Sequence, residues 1–558
     1  MGVTPVARCA SWIGLGAAVI FWFASLTPTL VPRGWIVQGV TSGICLAIGY
    51  GIGVMAELAA RRAMRWPDGP RAVRIRPIAL VVAVAVGVAG TLAWASWQDE
   101  ARDLVGMAHL TWWEGPPMVL LSVVTGTVLV RIGRAVGGWV RAAHRPIRRR
   151  LPAWAALPAT VLLVVSVVGL VGGQVVTRGF VVGANLIYET LDQGTNSWSE
   201  RPRLASVSGS PASLVAWETM GLWGRDFVAG VTSRDELLAY HGAAAEVRDP
   251  IRIFVGMRTA ETLEERAALA VQELERAGGF ERGVIAVWVP GGSGWMDPNA
   301  ARTLEQLHAG DTAIVATQYS SLPSFFSIVI DSRRAIDAGA ALFDAVHERW
   351  SAMPVQDRPR LIVFGASLGA GGAERPFVGP DAAASVANFA SRADGALIVG
   401  SLGWNPILRQ LTEAREPGSP AWQPIYAGAD TVRFLTGRDR PELDARWGPS
   451  RVAYLQHPSD PVAYLSLDSV WSPPDWMDEP RGRGVPKDTG WFPIVSTVQA
   501  AADLSFLASL PSGFGHDYRV DYADAFARVA PPDDWTVHDT ARLEAFLAAE
   551  TETAAGAP

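Results

Sequence analysis

The residues Gly365-Ala366-Ser367-Leu368-Gly369 follow an apolar run, Leu361-Ile362-Val363-Phe364. A buried strand running straight into G-x-S-x-G is the sequence form of a nucleophile elbow. In that turn a strand passes sharply into a helix and lifts a serine Oγ above the end of a sheet. Alone the pattern is a modest signal, because glycine supplies 56 of the 558 residues and chance matches are not rare. The plain alternative is a serine in an ordinary turn. The preceding strand, the small residues after the serine and suitable partners downstream weigh against it.

A serine hydroxyl is a poor nucleophile until a base accepts its proton, and a carboxylate must hold that base in the right tautomer. In this chemistry the chain order is serine, acid, histidine. A strand over 451–455 is followed by Gln456-His457-Pro458-Ser459-Asp460-Pro461, which makes Asp460 the acid. A solvated loop aspartate is the alternative, and Asp468, Asp475 and Asp478 have no strand end to place them. Only His516 and His538 lie beyond Asp460. His516 sits in Pro511-Ser512-Gly513-Phe514-Gly515-His516-Asp517-Tyr518, a loop before a helix, and is the better base. His538 reads as a surface residue and His457 as a neighbour of the site.

The oxyanion formed by attack needs preorganised N–H donors. One is the backbone N–H of Leu368, directly after the nucleophile. The other is expected from the glycine loop Gly291-Gly292-Ser293, which follows a strand over 284–289. That loop could instead cradle a phosphate, but it lacks G-x-x-x-x-G-K-[ST] and has no lysine. The chemistry calls for no cofactor and no metal.

These residues need a scaffold. From about residue 199 the pattern alternates strand, loop and helix. Strands are predicted over 251–255, 284–289, 312–317, 361–364, 396–399 and 451–455, and helices over 262–277, 301–308 and 332–350. Such alternation implies a doubly wound, mainly parallel sheet with its ligands at the carboxyl ends of the strands. Residues 491–510 read as a helix, and no eighth strand is evident before His516.

The first part of the chain is different. Five stretches, 11–31, 35–56, 78–97, 117–137 and 155–177, reach the ~20 apolar residues that cross a bilayer. The expected organisation is a helical membrane domain over 1–178 and a doubly wound α/β domain over 179–558. Residues 1–178 carry 17 arginines and 6 acidic residues, whereas the remainder is acidic. The basic half is the apolar half, so its arginines fix topology and touch anionic lipid rather than nucleic acid. Arg61, Arg62, Arg65, Arg71, Arg74 and Arg76 follow the second stretch, and Arg141, Arg145, Arg148, Arg149 and Arg150 follow the fourth. Both groups are expected in the cytoplasm, with the N-terminus inside and everything after Thr177 outside. The spans read as an anchor, since none carries a central charge. Cys9 and Cys45 are the only cysteines, so a disulfide framework or thiolate metal site in the remainder is excluded.

The chain resembles a family of bacterial membrane proteins in which an N-terminal multi-span region is fused to an α/β-hydrolase domain. The resemblance covers nearly the whole chain. It is carried by Ser25-Leu26-Thr27-Pro28-Thr29-Leu30-Val31-Pro32-Arg33, Gly294-Trp295-Met296-Asp297-Pro298 and Gln318-Tyr319-Ser320-Ser321-Leu322-Pro323-Ser324. The elbow, His457-Pro458-Ser459-Asp460-Pro461-Val462 and Gly515-His516-Asp517-Tyr518 complete it. Ala366 stands where the family commonly has a Glu, and Phe514 where it commonly has a His.

The expectation is a serine hydrolase of the esterase or lipase type in a bacterial cytoplasmic membrane. It would act through Ser367, Asp460 and His516 on a small-molecule or lipid ester, with membrane lipid as its partner. Two rivals stand beside it. An acyltransferase would use the same acyl-enzyme, and a non-catalytic hydrolase-fold module would bind without turnover.

Overall fold

The computed structural model describes residues 11–63, 72–150, 177–437, 447–464, 467–504 and 510–556, with isolated positions between 150 and 177. The chain divides into two compact units, Met1–Gly179 with Leu465–Pro511 and Phe180–Tyr464 with Ser512–Pro558. Residues 465–511, expected within the C-terminal domain, therefore pack with the N-terminal helices.

The first unit is helical. Helix α1 (Trp12–Ala24) starts where the Ser11 side chain accepts the Gly14 N–H at 2.8 Å. Its 13 residues rise about 20 Å at 1.5 Å each, short of the ~30 Å of a hydrocarbon core. An irregular stretch leads to α2 (Trp35–Ala63), followed by α3 (Ala72–Val105) and α4 (Gly115–Arg150). Small residues let these helices close on one another. A Cβ on Gly53 of α2 would meet the Gly14 Cα of α1 at 2.7 Å, and one on Gly43 would meet the Ser122 carbonyl of α4 at 2.8 Å. Trp22, Leu26, Trp94 and Met118 make the buried apolar centre of this bundle.

Among the described residues two helical stretches, Trp35–Arg61 and Trp112–Arg149, are long and apolar enough to cross a membrane by length and composition. This corrects the expectation of about five spans. The first expected span is interrupted after Ala24. The third falls in α3, whose first turns include residues with no described side chains. The fifth, 155–177, lies almost wholly outside the described residues.

The second unit is built on seven parallel strands. They are β1 (Ile251–Val255), β2 (Val284–Val289), β3 (Thr312–Thr317), β4 (Arg360–Ala366), β5 (Gly395–Val399), β6 (Val432–Leu435) and β7 (Arg451–Leu455). Their order across the sheet is β1-β3-β2-β4-β5-β7-β6. The central strands are buried along their length, as a sheet covered on both faces requires. The expected doubly wound parallel sheet is present. β6 is an additional edge strand that the sequence did not announce.

The order places the site. From β2 the chain turns back to β3, and from β4 it goes on to β5, so the connections leave in opposite directions. The crevice between β2 and β4 at their carboxyl ends is the switch point where such sheets bind ligands. The register pairs Val289 with Gly365. The glycine loop and the elbow thus leave neighbouring strands at the same level.

Candidate active site

Strand β4 ends at Ala366 and the helix Leu368–Glu374 starts immediately after Ser367. Ser367 is the joint, with φ 55° and ψ −122°. A non-glycine residue adopts such a backbone only under constraint, and constraint of this kind gathers at functional sites. Its source is visible. The Ser367 N–H donates to the Val399 carbonyl of β5 at 2.9 Å. A Cβ on Gly369 would strike the Val289 and Pro290 carbonyls, so only glycine lets the helix seat against the end of β2. The Leu368 N–H opens that helix and is among the first-turn donors no helix carbonyl can accept. The Ser367 side chain stays partly exposed.

The glycine loop leaves β2 beside this turn. Its amides are already engaged: Gly291 N–H donates to the Trp295 carbonyl and Gly292 N–H to Ser324 Oγ, each at 2.9 Å. A Cβ on Gly292 would meet the Ser324 backbone N at 2.5 Å, so the loop and the start of the helix Ser324–Asp331 are in close contact. The Ser293 carbonyl accepts a hydrogen bond from Gln318 Nε2 at 3.1 Å. The expected donors at Gly291 and Gly292 thus stand beside the elbow with acceptors in place.

Asp460 and His516 come together. His516 Nδ1–H donates to Asp460 Oδ2 at 2.7 Å, which leaves the Nε2 lone pair on the opposite edge of the ring. The ring lies on Gly400, where an added Cβ would meet His516 Cε1 at 2.5 Å. Gly400 follows Val399, the residue that holds the Ser367 N–H. Burial alone would push the Asp460 carboxyl up. The adjacent His516, the Tyr518 hydroxyl and the Val462 N–H together hold it below the ordinary carboxylate range. Burial works against a charged His516 too, yet Asp460 raises its imidazole above the ordinary value.

Two further groups fix the histidine loop, and the sequence reading left them without roles. Tyr518 donates its hydroxyl to Asp460 Oδ2 at 2.5 Å. His457 is buried and stacks on the Tyr518 ring with centroids 4.1 Å apart. Its Nδ1 lies 2.8 Å from the Gly515 carbonyl and its Nε2 lies 2.9 Å from Asp521 Oδ2. Ser459 Oγ accepts the Gly515 N–H at 2.9 Å. Gly513 and Gly515 both have positive φ, which bends the loop tightly. The available signal was proximity: His457 and Ser459 share a hexapeptide with Asp460. His538 lies near the start of the terminal helix Val537–Gly556. Among the described residues no group of three His, Cys, Asp or Glu side chains is placed to hold a metal.

A parallel sheet with a strained serine at its switch point and a histidine bonded to a buried acid defines an α/β-hydrolase fold. Two family models match the chain: the α/β-hydrolase family over residues 251–543 and the α/β-hydrolase family N-terminus over residues 26–231. The chain belongs to this α/β-hydrolase family. No curated protein matches it, and no solved structure does.

Proposed function

We propose that the protein is a membrane-anchored serine hydrolase that cleaves an ester through Ser367, His516 and Asp460. The observation that carries this reading is the hydrogen bond from His516 to the buried Asp460, seated on Gly400 next to the carbonyl that pins Ser367. In this reading Ser367 Oγ attacks the ester carbonyl and passes its proton to His516 Nε2. Asp460 stabilises the resulting imidazolium without itself taking the proton. Leu368 N–H is one oxyanion donor. Gly292 N–H is the second once it exchanges Ser324 Oγ for the oxyanion. His516 then protonates the departing alcohol. Water, deprotonated by the same imidazole, releases the acid and restores the serine.

The proposed substrate is an acyl ester of an envelope lipid. Trp295, directly after the glycine loop, and Trp404, beyond β5, expose apolar surface on the hydrolase unit. The proposed anchors are α2 and α4, whose arginine-bearing ends are assigned to the cytoplasm, with the 34 residues of α3 returning the chain across the bilayer between them.

The test uses the full chain in detergent with a fluorophosphonate probe. Wild type should be labelled, and Ser367→Ala should not. Single alanine replacements of His516 or Asp460 should slow labelling at least a hundredfold, with losses far from additive. An unlabelled wild type would overturn the reading. Acyl transfer to an added alcohol that outruns hydrolysis would reassign the enzyme as an acyltransferase.

A further inference from the structure

The glycine loop can serve the site only if its backbone is held. Ser324 Oγ holds one of its amides, and a second side chain, Gln318, holds one of its carbonyls. Gln318 follows β3 directly and is almost completely buried. Its Nε2 faces the Ser293 and Ser320 carbonyls at 3.1 Å each and the two Asp192 carboxylate oxygens at 3.2 and 3.3 Å. Its Oε1 accepts the Met257 N–H, from the loop after β1, at 3.2 Å. A side-chain amide has two N–H donors on one side and an oxygen on the other. Turned over, this one would set its oxygen against four oxygens and its N–H groups against an N–H. The surroundings therefore fix its orientation, donors toward the glycine loop. Gly294, at φ 88°, rests on the same side chain, and an added Cβ there would meet Gln318 Cγ at 3.0 Å.

Asp192 stands behind the amide. It ends the helix Thr177–Asp192 and is buried. Gly221, at φ 80°, makes room for it, since a Cβ there would meet both carboxylate oxygens at 2.6 Å. Asp192 Oδ1 also accepts the Leu222 N–H at 3.1 Å, at the start of the helix Leu222–Ala229. On the other side, the hold reaches further than Ser293. A peptide group is planar, so fixing its oxygen aims its N–H. The Ser293 carbonyl shares a peptide with the Gly294 N–H, and that N–H donates to the Gly291 carbonyl at 2.9 Å. The Gly291 carbonyl shares the next peptide with the Gly292 N–H. One buried amide thus aims, through two peptide planes, the N–H assigned above as second oxyanion donor. We propose that Gln318 is the positioning residue of that donor and that Asp192 fixes the Gln318 amide. The kinetic part of this inference rests on the hydrolase reading, whereas the hold on the loop does not.

The experiment uses the full chain in detergent. Gln318→Glu, Asp192→Asn and the double replacement are compared with wild type. The readouts are kcat and KM on a short-chain aryl ester, thermal midpoint, and hydrogen exchange in the peptides covering 291–296 and 360–366. Gln318→Glu keeps the shape but turns an oxygen toward Ser293. It should lower kcat at least thirtyfold with KM within threefold, and speed exchange over 291–296 at least tenfold while 360–366 stays unchanged. Asp192→Asn leaves the Gln318 donors on Ser293 and should lower kcat three- to tenfold. In the double replacement the new amide at position 192 donates to the new carboxylate at position 318. The thermal midpoint should recover, yet kcat should stay as low as in Gln318→Glu, because the Ser293 carbonyl still faces an oxygen. Recovery of kcat in the double replacement would overturn the proposal, since it marks a purely structural tie. So would a defect confined to KM, or wild-type exchange over 291–296 in Gln318→Glu. Should Gln318→Glu not fold, unchanged kcat and unchanged exchange over 291–296 in Asp192→Asn would overturn it. If wild type neither turns over the ester nor takes the fluorophosphonate, the hydrolase reading falls, and exchange over 291–296 still decides the hold on the loop.

Discussion

Asp460 takes hydrogen bonds from His516, Tyr518, Gln456 and the Val462 N–H, so both its oxygens are held in place. Its charge is what lifts His516 above the ordinary imidazole value of 6.5. The direction of the pH dependence follows. Below its folded value His516 carries a second proton and, in the proposed mechanism, cannot take one from Ser367, so the acid limb of the rate profile should lie above pH 6.5. Asp460→Asn removes the charge that raises His516. The limb should move to lower pH while kcat falls by roughly 10⁴; a pH profile of kcat with an aryl ester checks both. Stability follows the same linkage. The raised His516 contributes fully below its unfolded value and loses that contribution as pH rises through its folded value. The depressed Asp460 contributes above its unfolded value and loses that as pH falls through its folded value. His457 tests the loop itself. His457→Phe keeps a ring against Tyr518 but leaves the Gly515 carbonyl and Asp521 without their partner. Thermal unfolding should show a loss of about 2–4 kcal/mol for two buried acceptors stranded, and kcat should fall with KM nearly unchanged.

The elbow helix Leu368–Glu374 carries a second buried carboxyl at its far end. Glu374 accepts Ser401 Oγ at 2.8 Å and the Ile407 N–H at 3.3 Å. Burial pushes it up to about 7 from an ordinary 4.5. A raised acid costs stability once it must ionise, so its penalty grows from pH 4.5 to pH 7 and stays above that. Glu374→Gln never ionises; its one amide oxygen can accept the Ile407 N–H while its amide N–H donates to Ser401 Oγ. Its stability relative to wild type should rise by about 3 kcal/mol between pH 4 and pH 8, as read by urea unfolding at the two values. The strands around this helix were legible because each is a short apolar run bounded by turn residues, as in Val284–Val289 and Arg451–Leu455. β6 escaped because Val432-Arg433-Phe434-Leu435 is four residues long with a charge inside it. Of the helix expected over 491–510, Val495–Leu504 is helical, and residues 505–509 lie outside the described residues. Ser367, Asp460 and His516 could be singled out because chain order and strand ends restrict the choices. The bonds from Gly291 and Gly292 could not, since the Trp295 carbonyl and Ser324 Oγ are partners only in the folded loop.

Across the whole molecule, composition announced a basic apolar part and an acidic part, but not that the division is interrupted. Residues 465–511 have the aromatic and small residues of a hydrolase loop, and nothing in their order reveals that they pack on helices hundreds of residues earlier. The proposed orientation is open to a direct check. A reporter active only in the cytoplasm should be active when fused after Arg150; silence there would invert the assignment. The interrupted division also sets the order of biosynthesis. The buried Arg33 donates from Nε to Asp503 Oδ1 at 2.8 Å across 470 residues of sequence, which the ribosome covers in roughly 25–95 s. Through that interval the N-terminal helices exist with an arginine whose counter-charge has not been translated. A chain that stalls within the hydrolase unit leaves that guanidinium without its carboxylate, a buried charge that weighs against the closed helical bundle until Asp503 arrives.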